Sequence, residues 1–386
     1  MPEFEPAHPL AHAAFSDPFP SAAAVRLLVF ADQYGASQAI AFVDGLAAAR
    51  RRGAVAVRLV EEAALAADGD PTHRPALRQA VEAQLAATAP TTIVLSRFGH
   101  ADACSLILDT ARARGIAVVC HIDDDLFGLP ASLGVERYQT ARHPRRLAAL
   151  SRAVREADRV IAATPTLAER LVRRAGHGRI GWLENGSAGR PQPRGAARAS
   201  GQPLVIGYMG SASHGPDLAL AAPGINAILA RSPGVRFELF GSIARQPSAD
   251  LLPPDVVRRD VVAGDYAAFK GKLAGLGWDI GLAPLVASAY NRCKTPTKWV
   301  EYAEAGVAVI ASDMEVYQPM IAAGAAAPAR PEQWEAVLDR LVNFPFLREG
   351  LVDAADALLR AQFGWERLEA DLMGQLSLLG SGRTAA

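Results

Sequence analysis

The sequence predicts an α/β chain built from two doubly wound, Rossmann-like domains, and three observations predict it. Short apolar runs such as Arg26–Ala31, Thr91–Leu95 and Leu204–Met209 alternate with helix-length segments, as parallel strands joined by crossover helices do. The alternation runs twice, before and after a stretch from Ser187 to Pro203 made of Gly, Pro, Ala, Arg and little apolar bulk. The 386 residues are enough for two domains with separate cores.

Composition narrows the class. Half of the residues are hydrophobic and 21% are charged, a globular balance rather than a disordered one. Lys plus Arg number 40 and Asp plus Glu number 40, so no global field favours nucleic acid. Cys104, Cys120 and Cys293 lack metal-ligand spacing and fit a reduced, cytoplasmic protein. No apolar run has the length of a membrane span. Residues 1–23 lack a basic start and an apolar segment, so they read as a frayed leader rather than a secretory signal.

In the first domain, expected over residues 24–186, Arg26–Ala31 is the first strand. The loop Asp32–Ser37 leads into a helix through Ile40 and Phe42. Val55–Val60 and Thr91–Leu95 are further strands, and Ser96–His100 lies at a strand end, where ligands collect in open parallel sheets. Ile116–Cys120 is another strand, running into His121, Ile122, Asp123, Asp124 and Asp125. An Asp-x-Asp after a strand can hold a divalent metal on a pyrophosphate; the same residues can also serve a cleft, or cap a turn. Arg137, Arg142, Arg145, Arg146, Arg152 and Arg155 cluster ahead of the strand in Ala157–Ala163. They read either as a solvated surface or as a basic face toward an anionic membrane or a polyprenyl-pyrophosphate acceptor. Thr164-Pro165 is a cap-plus-proline helix start, and Ile180–Leu183 is the last strand of this half.

Beyond the linker, expected at 187–203, the second domain spans 204–345. Leu204–Met209 ends in the small-residue loop Gly210–Gly215, which lets backbone amides approach a phosphate. A helix starts at Pro216-Asp217, with a bend expected near Pro223-Gly224. Val235–Phe240 is a strand, and Val256–Val262 leads to Gly264-Asp265-Tyr266. Trp334–Leu341 is an amphipathic helix. One long helix, roughly Leu351–Leu379 within the segment 346–379, is long enough to cross back to the first domain, with a disordered tail expected at 380–386.

The stretch Gly277–Asp313 is the centre of this half. A buried strand at Trp278–Leu282 is followed by a polar loop, then by Thr295 as hydroxyl cap and Pro296 at the first helical position. Trp299, Tyr302 and Ala303 share one helix face, Gly306 ends the helix, and Val307–Ala311 is the next strand. The helix start is an anion site, and Arg292, Lys294 and Lys298 add charge around it. Glu301 is placed to accept hydrogen bonds from a pair of ribose hydroxyls. A solvated helix face is the competing reading.

The strings WDIGLAPL, NRCKTPTKWVEYAEAGVAVIASD, ADRVIAATPTLAERL and ENG resemble the GT-B glycosyltransferases of the group-1, or family 4, type. The resemblance implies a GT-B architecture and a nucleotide-diphosphate sugar donor bound by the second domain. It implies a glycan, lipid-linked or small-molecule acceptor on the first, in bacterial surface polysaccharide or glycoconjugate synthesis. It assigns Glu301 to the donor ribose, and Gly264-Asp265-Tyr266 to the base. It puts Gly210, Ser211, His214, Tyr266, Asn291, Arg292, Lys294, Thr297, Lys298 and Glu301 at the donor. His121, Asp123 and Asp124 are the catalytic candidates, with the register between His121 and Asp123 open. Cys293 stands where many members have a glutamate that contacts the donor sugar, so Asn291, Arg292 or Lys294 would substitute. The loop Gly210–Gly215 has Ser211 and His214 where an arginine and a lysine commonly grip the pyrophosphate. The implied reaction is retaining, with inversion left open by Cys293 and the acidic cluster, and metal-independent, with no cofactor, no nucleic acid and peripheral membrane contact as an option. A GT-B sugar-nucleotide epimerase and a catalytically silent binding protein are the alternatives.

Overall fold

A computed structural model describes residues 22–65, 68–187, 189, 201–260 and 266–381. Among these residues twelve strands form two six-stranded sheets, in which every pairing is parallel. The first sheet contains β1 (Val25–Ala31), β2 (Val55–Glu61), β3 (Thr92–Ser96), β4 (Ala117–Ile122), β5 (Arg159–Ala162) and β6 (Ile180–Trp182), in the order β2-β1-β3-β4-β5-β6. The second contains β7 (Leu204–Met209), β8 (Val235–Phe240), β9 (Val257–Arg259), β10 (Ile280–Ala283), β11 (Ala308–Ser312) and β12 (Ala327–Ala329), in the order β12-β11-β10-β7-β8-β9. Parallel strands covered on both faces are apolar throughout, and β3, β4, β10 and β11 are buried at every residue.

Helices of eight or more residues cover the sheets: α1 (Arg74–Thr88), α2 (Ala101–Arg114), α3 (Val135–Arg142), α4 (Pro144–Glu156), α5 (Pro165–Ala175), α6 (Gly215–Arg231), α7 (Tyr266–Gly275), α8 (Thr297–Glu304), α9 (Trp334–Asn343), α10 (Pro345–Gln362) and α11 (Trp365–Ser381). The Thr164 hydroxyl accepts from the Leu167 N–H, so α5 starts at the cap the sequence marks. α6 continues through Pro223, and Gly224 lets α9 in: a Cβ there would lie 2.6 Å from the Glu335 nitrogen.

Four expectations change. α8 begins one residue later than the sequence suggests, with Pro296 at the cap position; the Thr295 hydroxyl meets that of Thr297 at 2.7 Å instead of capping a backbone amide. The single long C-terminal helix is two, α10 and α11, interrupted at Phe363-Gly364 because Ser187 joins the backbone there: its N–H reaches the Phe363 carbonyl at 2.6 Å. The last helix runs through Ser381, into the segment expected as a tail. The helix expected through Ile40 and Phe42 is a short α-turn followed by a wide π-type turn over Ala39–Asp44. Residues 1–21, most of the expected linker, Gly264-Asp265 and residues 382–386 lie outside the described residues.

The break at Phe363 divides the crossing segment between two cores. Ala355, Leu358, Leu359 and Phe363 pack with the second sheet's cluster, whereas Leu368, Leu372 and Leu376 pack with Leu27, Val29, Phe42 and Ile161 of the first. Gly186 makes the second contact possible, since a Cβ there would fall 2.4 Å from the Trp365 ring and 2.7 Å from Leu368. Gly186→Ala is therefore expected to destabilise the protein by about 1–3 kcal/mol through overpacking. Urea unfolding checks this; an unchanged midpoint would contradict the tight seat of α11.

Candidate functional site

Both sheets reverse their direction of winding at one point, the first between β1 and β3 and the second between β7 and β10. Ligands of open α/β sheets bind outside the carboxyl ends of the strands at such points. A cavity of about 500 Å³ lies there, between the two domains. One wall comes from the first domain, through Asp32 after β1, Arg97 after β3, and Asp123 and Asp124 after β4. The other comes from Gly210, Ser211 and His214 after β7, Gly241 and Ser242 after β8, Leu285 after β10, and Lys294, Thr297, Lys298 and Glu301 around the start of α8.

The packing of α8 explains the second wall. Trp299, Val300, Tyr302 and Ala303 are buried against the sheet. The Tyr302 hydroxyl accepts from the Met209 N–H at 2.9 Å and donates to the Leu282 carbonyl at 3.2 Å, tying the helix to the ends of β7 and β10 at once. Glycines make room for this: a Cβ at Gly281 would sit 2.9 Å from the Tyr302 ring, and one at Gly207 would sit 1.9 Å from Trp278. With that face fixed, helical spacing turns Lys298 and Glu301 together into the cavity.

These groups are chemically unusual. Burial lowers Lys298 to about 8, against the raising influence of Asp217 and Glu301. Its Nζ lies 4.2 Å from the Tyr208 ring centre and has no hydrogen-bond partner among the described residues. Burial raises Glu301 to about 7, opposed by a hydrogen bond from Tyr266. His214 is pushed down to about 4 by burial and by Lys298, and its Nδ1 lies 2.8 Å from Asp217. Asp217 also accepts from the Val286 N–H at 2.8 Å, joining the loop after β7 to the one after β10.

On the first wall Arg97 is the hub. Its guanidinium lies 3.0 Å from Asp32, 2.6 Å from Asp123 and 3.9 Å from Asp124. Its φ of 54° is a left-handed value, uncommon outside glycine and found most often where a site fixes the backbone. Burial alone would raise Asp123, but Arg97, His121 and the Ser37 hydroxyl outweigh it and hold the carboxylate at about 2. Asp32 is raised by burial, with Arg97 opposing. His121 is lowered by burial to about 4; its Nδ1 meets the Ser96 hydroxyl at 2.9 Å, and it faces a smaller adjoining pocket rather than the main cavity.

The structure thus gathers Asp123, Asp124, Gly210, Ser211, His214, Lys294, Thr297, Lys298 and Glu301 around one cavity. Tyr266 stands behind Glu301, stacked on Phe269. Asn291 is buried, and its side chain donates to the Val286 carbonyl. Arg292 is exposed and lies 3.4 Å from Glu315. Cys293 is fully buried in a cluster whose other members all belong to the first domain, and its carbonyl accepts from the Thr164 hydroxyl at 3.0 Å. Lys294 then reaches Asp124 at 3.4 Å across the cleft, and Asn185 donates to the Thr297 hydroxyl at 2.6 Å. Sequence reasoning had not singled out Asp32, Ser37 or Arg97. Their signal was position: Asp32 and Arg97 directly follow the two strands flanking the winding reversal, and Ser37 lies in the short α-turn after the loop from β1.

Among solved structures the chain is similar to HepE of Anabaena, crystallised with UDP-glucose, with a TM-score of 0.63 and 14% identity over 91% of this chain and 99% of that one. It is also similar to WaaG, a glycosyltransferase involved in lipopolysaccharide biosynthesis, with a TM-score of 0.58 and 16% identity over 89% and 98%. A UDP-forming α,α-trehalose-phosphate synthase from Burkholderia vietnamiensis gives 0.59 and 12% over 93% and 98%. The fold is GT-B. No family model and no curated protein sequence matches the chain.

Removing Arg97 would leave Asp123 buried without its cation and Asp32 with only Arg146, 3.5 Å away. Arg97→Ala is expected to cost about 3–5 kcal/mol of stability at neutral pH, the usual consequence of breaking a buried pair from one side. That loss should shrink as pH falls, because the stranded carboxylates can take protons. Unfolding curves at several pH values check this; a pH-independent loss would contradict the electrostatic origin.

Proposed function

We propose that the protein is a glycosyltransferase that binds a nucleoside-diphosphate sugar against α8 and transfers the sugar to a hydroxyl acceptor on the first-domain wall. The observation that carries the reading is the pair Lys298 and Glu301, one helix turn apart and both opening into the cavity at the winding reversal of the second sheet. A buried ammonium without a hydrogen-bond partner suits a diphosphate, and a carboxylate beside it suits a ribose diol. Lys294 and the N-terminal amides of α8 add to the anion site. The fold is shared with HepE, which was crystallised with UDP-glucose, and that likeness supports a donor of this kind.

In the reaction the bond from the anomeric carbon to the diphosphate oxygen breaks, and the acceptor oxygen bonds to that carbon. Negative charge growing on the diphosphate is met by Lys294, Lys298 and the helix terminus, which supply positive charge without a metal. A carboxylate held at about 2, as Asp123 is, makes a weak base. In this reading the acceptor proton passes to the departing diphosphate, on the face the sugar leaves, and the anomeric configuration is retained. Asp32, raised by burial, favours a second reading in which it is the base and the configuration inverts. The anomeric configuration of the product, read by NMR, decides between them; retention is expected.

The ionisation of the two helix residues fixes a pH window. Glu301 gains its charge as pH rises through about 7, and Lys298 loses its charge as pH rises through about 8. Donor affinity in calorimetry is expected to peak between those values. Glu301→Gln should flatten the acid limb, and Lys298→Met the alkaline limb. Glu301→Ala should weaken donor binding by about 1–3 kcal/mol, the worth of charge-assisted hydrogen bonds. Unaltered donor affinity in a folded Glu301→Ala protein would remove the ribose role.

A further inference from the structure

We propose that the acceptor presents an uncharged, hydroxyl-rich sugar end to the first-domain wall, and that this wall selects against acceptors carrying a phosphate at that end. The inference rests on the glycosyltransferase reading above and names the acceptor class of the same cavity.

The two walls differ in charge. The donor side carries Lys294 and Lys298, whereas the first-domain side carries Asp32, Asp123 and Asp124 around the single cation Arg97. That cation is committed: it lies within 3.0 Å of Asp32 and 2.6 Å of Asp123. Arg146, behind it, is 3.5 Å from Asp32 and 3.6 Å from Glu62. An acceptor phosphate would meet three carboxylates here, with no uncommitted cation on this wall among the described residues, and like charges at close quarters in a partly buried cavity repel strongly.

The same wall is well equipped for hydroxyl groups. Gln33 lines it beside the aspartates, and Ser37, whose hydroxyl donates to Asp123, keeps oxygen lone pairs to accept from an incoming hydroxyl. Asp124 is only loosely held, 3.4 Å from Lys294 and 3.9 Å from Arg97, so its oxygens keep lone pairs for incoming donors. The larger apolar residues at the cavity, Met209, Phe240, Phe269, Leu285 and Tyr317, all belong to the donor side. Two arginines of α4, Arg145 and Arg152, are occupied elsewhere. Arg145 lies 2.9 Å from both Asp68 and Asp102, and Arg152 lies 2.7 Å from Asp109 and 2.9 Å from Glu156.

The test uses the full chain loaded with whichever of UDP, GDP, ADP or dTDP binds it. Saturation-transfer NMR then compares glucose, mannose, N-acetylglucosamine and their disaccharides with the matching 6-phosphates. The expected result is binding of at least one neutral sugar about tenfold more tightly than its phosphate, with Asp124→Lys narrowing that preference. Equal or tighter binding of the phosphate, or binding of neither, overturns the acceptor class while nucleotide binding leaves the donor reading standing. A folded protein that binds none of the four nucleotides overturns the donor reading and this inference with it.

Discussion

The hydroxyl of Tyr302 is the point on which the site depends. It closes a hydrogen-bonded stitch between the end of β7 and the end of β10, the two strands between which the second sheet reverses. A buried phenol needs partners for its O–H, and here both partners are backbone groups at the sheet's functional edge. Fixing Tyr302 fixes the rotation of α8, because Trp299, whose indole N–H reaches the Ala325 carbonyl at 2.9 Å, pins the same face. Lys298 and Glu301 then have only the cavity to face. Their perturbed ionisation follows from that enforced burial rather than from any special property of the residues themselves.

The cleft is closed by contacts that treat the segment before α8 as shared property. Cys293 fills the first domain's core, Arg170 donates to the Ala289 carbonyl at 2.7 Å, and Lys294 spans to Asp124. Cys293 therefore serves domain docking. The residue beside it, Lys294, is left at the cavity wall. Charge is divided in the same spirit, with cations gathered at α8 and carboxylates gathered around Arg97.

Much of the architecture was legible because parallel strands buried on both faces leave continuous apolar runs. β7 and β8 fall on the residues that the sequence marks. Glu301, Lys298 and the loop after β7 were legible because helix periodicity and strand-end position are local properties. Arg97 was not, since its importance lies in three carboxylates from two other strand ends, those of β1 and β4, meeting around it. The burial of Cys293 was equally hidden, being a packing event between domains. The break between α10 and α11 depends on Ser187, far away in sequence, pairing with the backbone at Phe363-Gly364. Glycine alone only weakens a helix, so nothing local announced that break.

The central claim is that a sugar-linked diphosphate sits at the start of α8 with its ribose on Glu301. A crystal structure of the protein with a bound nucleoside-diphosphate sugar measures this directly. The account predicts phosphate oxygens at ~3 Å from the Lys298 ammonium and from the first amides of α8, with both ribose hydroxyls on the Glu301 carboxylate. A nucleotide seated outside this cavity, or seated in it with Glu301 and Lys298 untouched, would contradict the account.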